Sequence, residues 1–290
     1  MIQSVAFIGL GAMGYRMAAH LPKHFDTVYV WNRNFAKAEQ HAAEYGTQAV
    51  ELAQAVQADI IFSCLPTSTE VENLIAQIQL KAGSVWVDCT SGVPESAKKL
   101  VQRLEVHQVD FLDAPVSGQT IGAENATLTV MIGGKAAAFE KALPAIQAFG
   151  KVIQHVGEPG AGFAVKAVNN MLMAVSLCAA AEGFTTLKAH GVNLNQALQC
   201  INASSGKSAV TEMILPQRVL NRTFPNTFAL PLLAKDTGIA LDLVREAALP
   251  APVLALTQSL IQAANLSAEK NSDFSTAVKM YELWSKITIE

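Results

Sequence analysis

The sequence carries little charge: 16% of its 290 residues are Asp, Glu, Lys or Arg, and the formal net charge is −3. No run of Lys or Arg occurs, so the electrostatic footprint of a nucleic-acid binder is missing. Cysteine is scarce too. Cys64, Cys89, Cys178 and Cys200 show no CxxC spacing, which leaves a zinc site or a disulfide framework without support. Cys64 and Cys89 fall inside apolar runs and read as buried, reduced thiols of a cytoplasmic protein. The apolar N-terminus has no basic segment ahead of it, and its first charge is Arg16, against a signal peptide. The apolar run Met171 to Ala181 is shorter than the roughly 20 residues a membrane helix needs. The six histidines are scattered and form no Ser/His/Asp or Cys/His set, and His155, in a strand-like run, reads as structural. The expectation is a soluble protein with no nucleic-acid, membrane or metal partner.

What is present in the first half is an alternation of short apolar runs and helical patterns. Ser4–Ile8 reads as a buried strand and leads into Gly9-Leu10-Gly11-Ala12-Met13-Gly14, after which Tyr15 to Leu21 is helical. That is G-x-G-x-x-G between a strand and a helix. Its glycines suit a tight turn, backbone approach to a pyrophosphate, and close helix–strand packing. The next strand, Thr27–Trp31, ends in Asn32-Arg33-Asn34, where an NAD-binding chain usually has an acid for the ribose 2′-hydroxyl. A guanidinium there suits the 2′-phosphate of NADP(H) instead, with Lys37 one turn further on. Strands ending at Leu65-Pro66 and at Asp88 follow, then the run Val109–Pro115 and strands Thr127–Ile132 and Val152–Val156, with helices between. This pattern predicts a doubly wound Rossmann-type α/β domain over 1–161. Pro66, Thr90 and Ser91 fall at carboxyl ends of strands, where open α/β sheets bind ligands.

From Gly162 strand signals nearly vanish, and 162–290 reads as an all-helical domain joined to the first by a long helix. Helices are expected over Lys166–His190, Asn195–Ala203, Val210–Leu220, Leu230–Glu246, Val253–Ala264 and Phe274–Ile287. Gly162, Lys166 and Asn170 recur every fourth residue, so they share one helix face. Taken alone, that stretch favours a solvent-facing lysine over a site; the sequence on either side changes the balance. The apolar stretch from Phe228 ends in the charged pair Lys235-Asp236.

Five signatures in order make the chain resemble the β-hydroxyacid dehydrogenases, the family of 3-hydroxyisobutyrate dehydrogenase and tartronate semialdehyde reductase. They are the glycine motif at 9–14; Asp88-Cys89-Thr90-Ser91; Asp113-Ala114-Pro115-Val116-Ser117-Gly118; Gly162 through Lys166 to Asn170; and Lys235-Asp236. The resemblance covers essentially the whole length. It implies a catalytic Lys166, with substrate held by Ser117, Gly118 and Asn170, and Gln119 beside them. It also implies that Leu65, Pro66, Ser91, Phe228 and Lys235 contact the cofactor. The chain departs from the family pattern in three places: Gln119 and Ala126 stand where glycine is usual, and Thr90-Ser91 reverses the usual Ser-Thr order.

The expected chemistry is hydride transfer between NADP(H) and a small carboxylate-bearing aldehyde or hydroxy acid, with Lys166 as general acid/base. An imine, succinate semialdehyde or glyoxylate reductase and a catalytically silent NADP-binding protein are the alternatives. An apolar helical half points to a homodimer or homotetramer.

Overall fold

Val5–Ile8 (β1) is buried along its whole length, and burial on both faces places it inside a sheet. Phe7 and Ile8 point to opposite sides, into separate clusters built around Phe62 and Phe149 on one face and Trp86 and Phe163 on the other. The computed structural model describes residues 2–290, and the chain divides into two compact units, Met1–Lys166 and Ala167–Glu290.

The first unit holds a nine-stranded sheet. Its strands after β1 are β2 (Val28–Trp31), β3 (Gln48–Ala49), β4 (Ile60–Ser63), β5 (Val85–Asp88), β6 (Asp110–Asp113), β7 (Val116–Ser117), β8 (Leu128–Gly133) and β9 (Gly150–Gly157). They lie in the order β3-β2-β1-β4-β5-β6-β8-β7, with β9 against β8. Pairings from β3 to β6 are all parallel. Parallel neighbours need long crossovers, supplied by α1 (Gly14–Ala18), α2 (Phe35–Tyr45), α3 (Leu52–Ala55), α4 (Ser68–Ile75) and α5 (Pro94–Glu105). Strand order reverses between β1 and β4, which opens a crevice at their carboxyl ends.

Beyond β6 the expected parallel winding gives way to a mixed sheet, with β8 antiparallel to both β6 and β7. Only α6 (Gln119–Glu124) separates β7 from β8, too little to carry the chain back across the sheet. After α7 (Ala136–Ile146), β9 returns parallel to β8. His155 is structural as expected: Nε2 is 2.7 Å from the Gly134 carbonyl, and the ring stacks on Phe139.

α8 (Ala161–Ala189) begins ahead of the expected Lys166 and crosses the boundary between the units. By length and composition it could span a membrane, which the run Met171 to Ala181 alone could not; 44% of its most apolar window is buried in the protein. In the second unit follow α9 (Leu194–Asn202), α10 (Leu230–Glu246), α11 (Pro252–Ser267) and α12 (Val278–Ser285).

Two expected helices differ in winding. Val210–Val219 is a π-helix, with Leu220 N–H donating to the Leu215 carbonyl. Pro216 within it would crowd the preceding turn of an α-helix and has no N–H to donate; the wider winding eases the crowding, and the Thr211 carbonyl five residues back accepts from Asn202 Nδ2 instead. Phe274–Ala277 is a 3₁₀ turn whose N-terminus is capped by Asp273. That carboxylate is also the partner of buried Arg218 (3.0 Å) and accepts from Thr227 N–H, so one ion pair gathers three segments.

Candidate active site

The glycine loop can be read atom by atom. Gly9 has φ +94°, and a Cβ there would stand 2.5 Å from the Cys64 carbonyl oxygen. At Gly14 a Cβ would stand 2.0 Å from the Gly9 carbonyl oxygen and 2.9 Å from the Phe7 ring. Both glycines are therefore dictated by the protein's own packing. At Gly11 a Cβ would meet nothing within 4 Å. A glycine that the fold does not need leaves a bare stretch of backbone, the space a pyrophosphate approaches. The loop thus fits a dinucleotide.

Asn32, just past the end of β2, holds this loop. Its Oδ1 accepts from Leu10 N–H at 3.0 Å, and its Nδ2 donates to the Asn34 carbonyl at 3.0 Å. Lys37 Nζ donates to the Leu10 carbonyl at 3.3 Å. Arg33 and Asn34 are exposed next to it, Ala12 is exposed on the loop, and Met13 packs against the core.

The neighbouring strand ends are laced together. Leu65 N–H donates to Thr90 Oγ1 at 3.1 Å, joining the chain after β4 to the chain after β5. Beneath them Asp88 Oδ1 accepts from the Ser63 hydroxyl and from Thr90 N–H, and Trp86 Nε1 donates to the same Ser63 oxygen. This buried network sets the height of Leu65, Pro66 and Ser91 at the rim. Burial pushes the Cys64 thiol up to about 12 and Cys89 well above its ordinary value, so neither supplies a thiolate at neutral pH.

After β6 come Ser117, half-buried, and Gly118 with φ +139°, where a Cβ would press on Leu128 at 2.9 Å. Gln119 has φ +59° and Ala126 φ +54°. Both departures from the family's glycines therefore fall where the backbone favours glycine. Asp113, at the end of β6, accepts from Gly160 N–H at 2.8 Å and Phe163 N–H at 2.9 Å. Burial pushes its carboxyl up to about 6, against the pull of those two donors. The signature containing Asp113 was legible, but not this contact, since nothing local relates residues about fifty apart.

Lys166 is half-buried in the early turns of α8, with Asn170 one turn further along the same helix. Gly162 does not open a pocket beside them. A Cβ there would stand 2.3 Å from the Met131 carbonyl, so the residue is a packing contact with the sheet. In the second unit Asn170 is 3% exposed; its Nδ2 donates to Asp236 Oδ2 at 2.6 Å, and its Oδ1 accepts from Asn169. Lys235 Nζ is 3.2 Å from the other Asp236 oxygen. Half-buried Phe228 donates its N–H to Asp273 and packs near Phe274, so the Arg218–Asp273 pair also sets its place.

Residues 4–157, more than half the chain, match the family model described as the NAD binding domain of 6-phosphogluconate dehydrogenase. Residues 160–281 match that described as NAD-binding of NADP-dependent 3-hydroxyisobutyrate dehydrogenase. The 2-(hydroxymethyl)glutarate dehydrogenase of Eubacterium barkeri is 36% identical, over 98% of this chain and 97% of its own length. The chain belongs to the β-hydroxyacid dehydrogenase family.

This β-hydroxyacid dehydrogenase is also similar to the NAD-dependent L-serine dehydrogenase of Pseudomonas aeruginosa, 32% identical over 97% of this chain and 98% of the relative. Among solved structures, the Mycobacterium tuberculosis 3-hydroxyisobutyrate dehydrogenase with L-serine superposes with a TM-score of 0.88. It is 28% identical and covers 97% of this chain and 99% of its own. The chain is thus an oxidoreductase with a Rossmann-type NAD(P)-binding unit.

Proposed function

We propose that this dehydrogenase moves a hydride between NADP(H) and a small 3-hydroxy acid or its semialdehyde, with Lys166 as general acid/base. The observation that carries the reading is the half-buried Lys166 one turn ahead of the buried, Asp236-bound amide of Asn170. A half-buried ammonium one turn from an amide held in a fixed plane suits a proton donor set beside a neutral anion-binding group.

On this reading Gly9, Leu10, Gly11, Ala12, Met13 and Gly14 hold the pyrophosphate, and Arg33 and Asn34 the 2′-phosphate. Leu65, Pro66, Ser91, Phe228 and Lys235 contact the rest of the cofactor. Bound there, the nicotinamide supplies or takes the hydride. As negative charge gathers on the substrate carbonyl oxygen, Lys166 Nζ donates a proton to it; in the reverse direction the neutral amine removes the hydroxyl proton. The Ser117 hydroxyl, the Gly118 N–H and the Asn170 amide donate to the substrate carboxylate. These are neutral donors, so they hold an anion without competing with the ammonium. The substrates in the relatives' names, 2-(hydroxymethyl)glutarate, L-serine and 3-hydroxyisobutyrate, share a hydroxymethyl group on the carbon bearing a carboxylate. That supports the same class here, with Gln119 tuning its size. Exposed Leu249, Val253 and Leu256 in the second unit support a homo-oligomer.

The test is Lys166→Ala, assayed with NADPH over short carboxylate-bearing aldehydes. Turnover falls by about 10² or more while the Kd for NADPH holds. A kcat within threefold of the parent removes Lys166 from the chemistry.

A further inference from the structure

We infer that Asp113 is a positioning residue: its carboxylate clamps the first turn of α8 to the carboxyl end of β6 and so fixes where Lys166 stands. The inference rests on the proposed role of Lys166 and adds the residue that aims it.

A helix begins with backbone N–H groups that have no partner within the helix. The common remedy is local: a short polar side chain just before the helix takes one donor, and a Glu or Gln three residues on takes another. Here neither remedy exists. Gly160, the residue before α8, has no side chain, and Phe163 has no acceptor. One carboxylate from another element answers both, with Asp113 Oδ1 accepting from Gly160 N–H and Oδ2 from Phe163 N–H.

The surroundings are cut to fit that carboxylate. A Cβ at Gly133 would stand 2.6 and 2.8 Å from its two oxygens. At Gly162 a Cβ would stand 2.9 Å from Oδ2 and 2.7 Å from the Asp113 carbonyl oxygen. Asp113 itself has no solvent-exposed surface. Two glycines thus leave room for a group buried at a cost.

A helix that needed only a cap could carry it on its own residue. A cap borrowed from β6 additionally fixes helix against strand. Lys166 lies three residues beyond the clamped Phe163, and Ser117 four beyond Asp113. One bidentate contact therefore registers the proton-transfer residue against the segment proposed to hold the substrate carboxylate. Such registry matters because misplacement by about 1 Å can cost on the order of 10² in rate.

The test uses Asp113→Asn, which keeps the shape but turns an amide N–H toward a backbone N–H. Turnover is expressed per NADPH-binding site, so misfolded protein does not count. The expected result is a fall in kcat of at least tenfold with the Kd for NADPH within twofold, since the glycine loop lies on β1. In a Lys166→Ala background the same change costs less than twofold, there being no lysine left to displace. A kcat within twofold of the parent overturns the inference, as does an equal loss with and without Lys166. Retained turnover in Lys166→Ala alone overturns the underlying reading, a separate outcome. If Asp113→Asn does not fold, amide hydrogen exchange on the parent decides. Gly160 and Phe163 should be protected as strongly as β6, and exchange like that of a frayed helix end overturns the clamp.

Discussion

Asn170 donates its amide to Asp236 across 2.6 Å, and the accepting carboxylate is 1% exposed. That bond uses one N–H of the Asn170 amide and fixes the plane of the group. The second N–H is left, in a set orientation, for the substrate carboxylate proposed above. Asp236 is held in turn by Lys235 at 3.2 Å. Removing one member of such a buried set leaves its partners unsatisfied, which costs more than the bond itself contributes.

Asp236→Asn should therefore act through Asn170. The amide loses a charged acceptor and turns, and the KM for a carboxylate substrate rises at least tenfold, more than kcat falls. Steady-state kinetics decide, and an unchanged KM takes Asn170 out of substrate binding.

The glycine loop gives a contrast between two alanine substitutions. Gly11→Ala adds a methyl that meets nothing in the protein, so the thermal midpoint should hold while the Kd for the dinucleotide rises at least tenfold. Gly14→Ala pushes a methyl to 2.0 Å from a carbonyl oxygen and should unfold or strongly destabilise the first unit. If Gly11→Ala binds the cofactor as the parent does, the bare stretch is not where the pyrophosphate sits.

Arg33→Ala addresses cofactor choice. Arg33 is exposed beside the loop, and charge-assisted hydrogen bonds contribute on the order of 1.5–3 kcal/mol. The parent should prefer NADPH by at least tenfold in kcat/KM, and the variant should lose most of that preference with NADH little changed. Equal use of both cofactors by the parent sinks the assignment.

Gln119 and Ala126 both hold left-handed backbone at φ +59° and +54°. Such a conformation costs a residue with a side chain about 1–2 kcal/mol. Ala126 lies just past the end of α6, where glycine is favoured. Ala126→Gly and Gln119→Gly should each stabilise the fold by about 1 kcal/mol in denaturant titration. Only Gln119→Gly should also reorder the substrates the enzyme prefers; the same ranking in both variants would place Gln119 outside the site.

Much of this was legible in sequence because it is local. The apolar runs of β1, β4 and β5 and the glycine motif report their own structure. Leu230–Glu246 was expected as a helix with the ends it has. What was not legible is what the chain brings from far away. Nothing near Asn32 says that its side chain turns back onto Leu10. Nothing near Asp236 says that it holds Asn170, although the Lys235-Asp236 pair marked the place. The π-winding around Pro216 follows from a backbone conflict that a helical pattern of apolar residues conceals. The antiparallel turn at β8 depends on connection length, which the strand-and-helix rhythm hides.

The Asp113 carboxyl also predicts a pH signature. Its folded value, about 6, lies above the ordinary 3.8. Its contribution to stability is therefore fully present below about pH 4 and lost as pH rises through about 6. The thermal-midpoint difference between parent and Asp113→Asn should shift in favour of the parent on acidification from pH 7 to 4.5. A shift the other way would mean that the two N–H donors outweigh burial.

The side chain of Asn32 belongs at once to the strand end proposed to meet the ribose and to the loop proposed to meet the pyrophosphate. An attempt to convert the enzyme to the other nicotinamide by transplanting the whole 32–34 segment would therefore loosen the loop along with the preference, and binding of both dinucleotides would suffer. Redesign confined to Arg33 and Asn34 leaves that bracket in place. The two decisions, which cofactor and how tightly any cofactor, can then be adjusted separately.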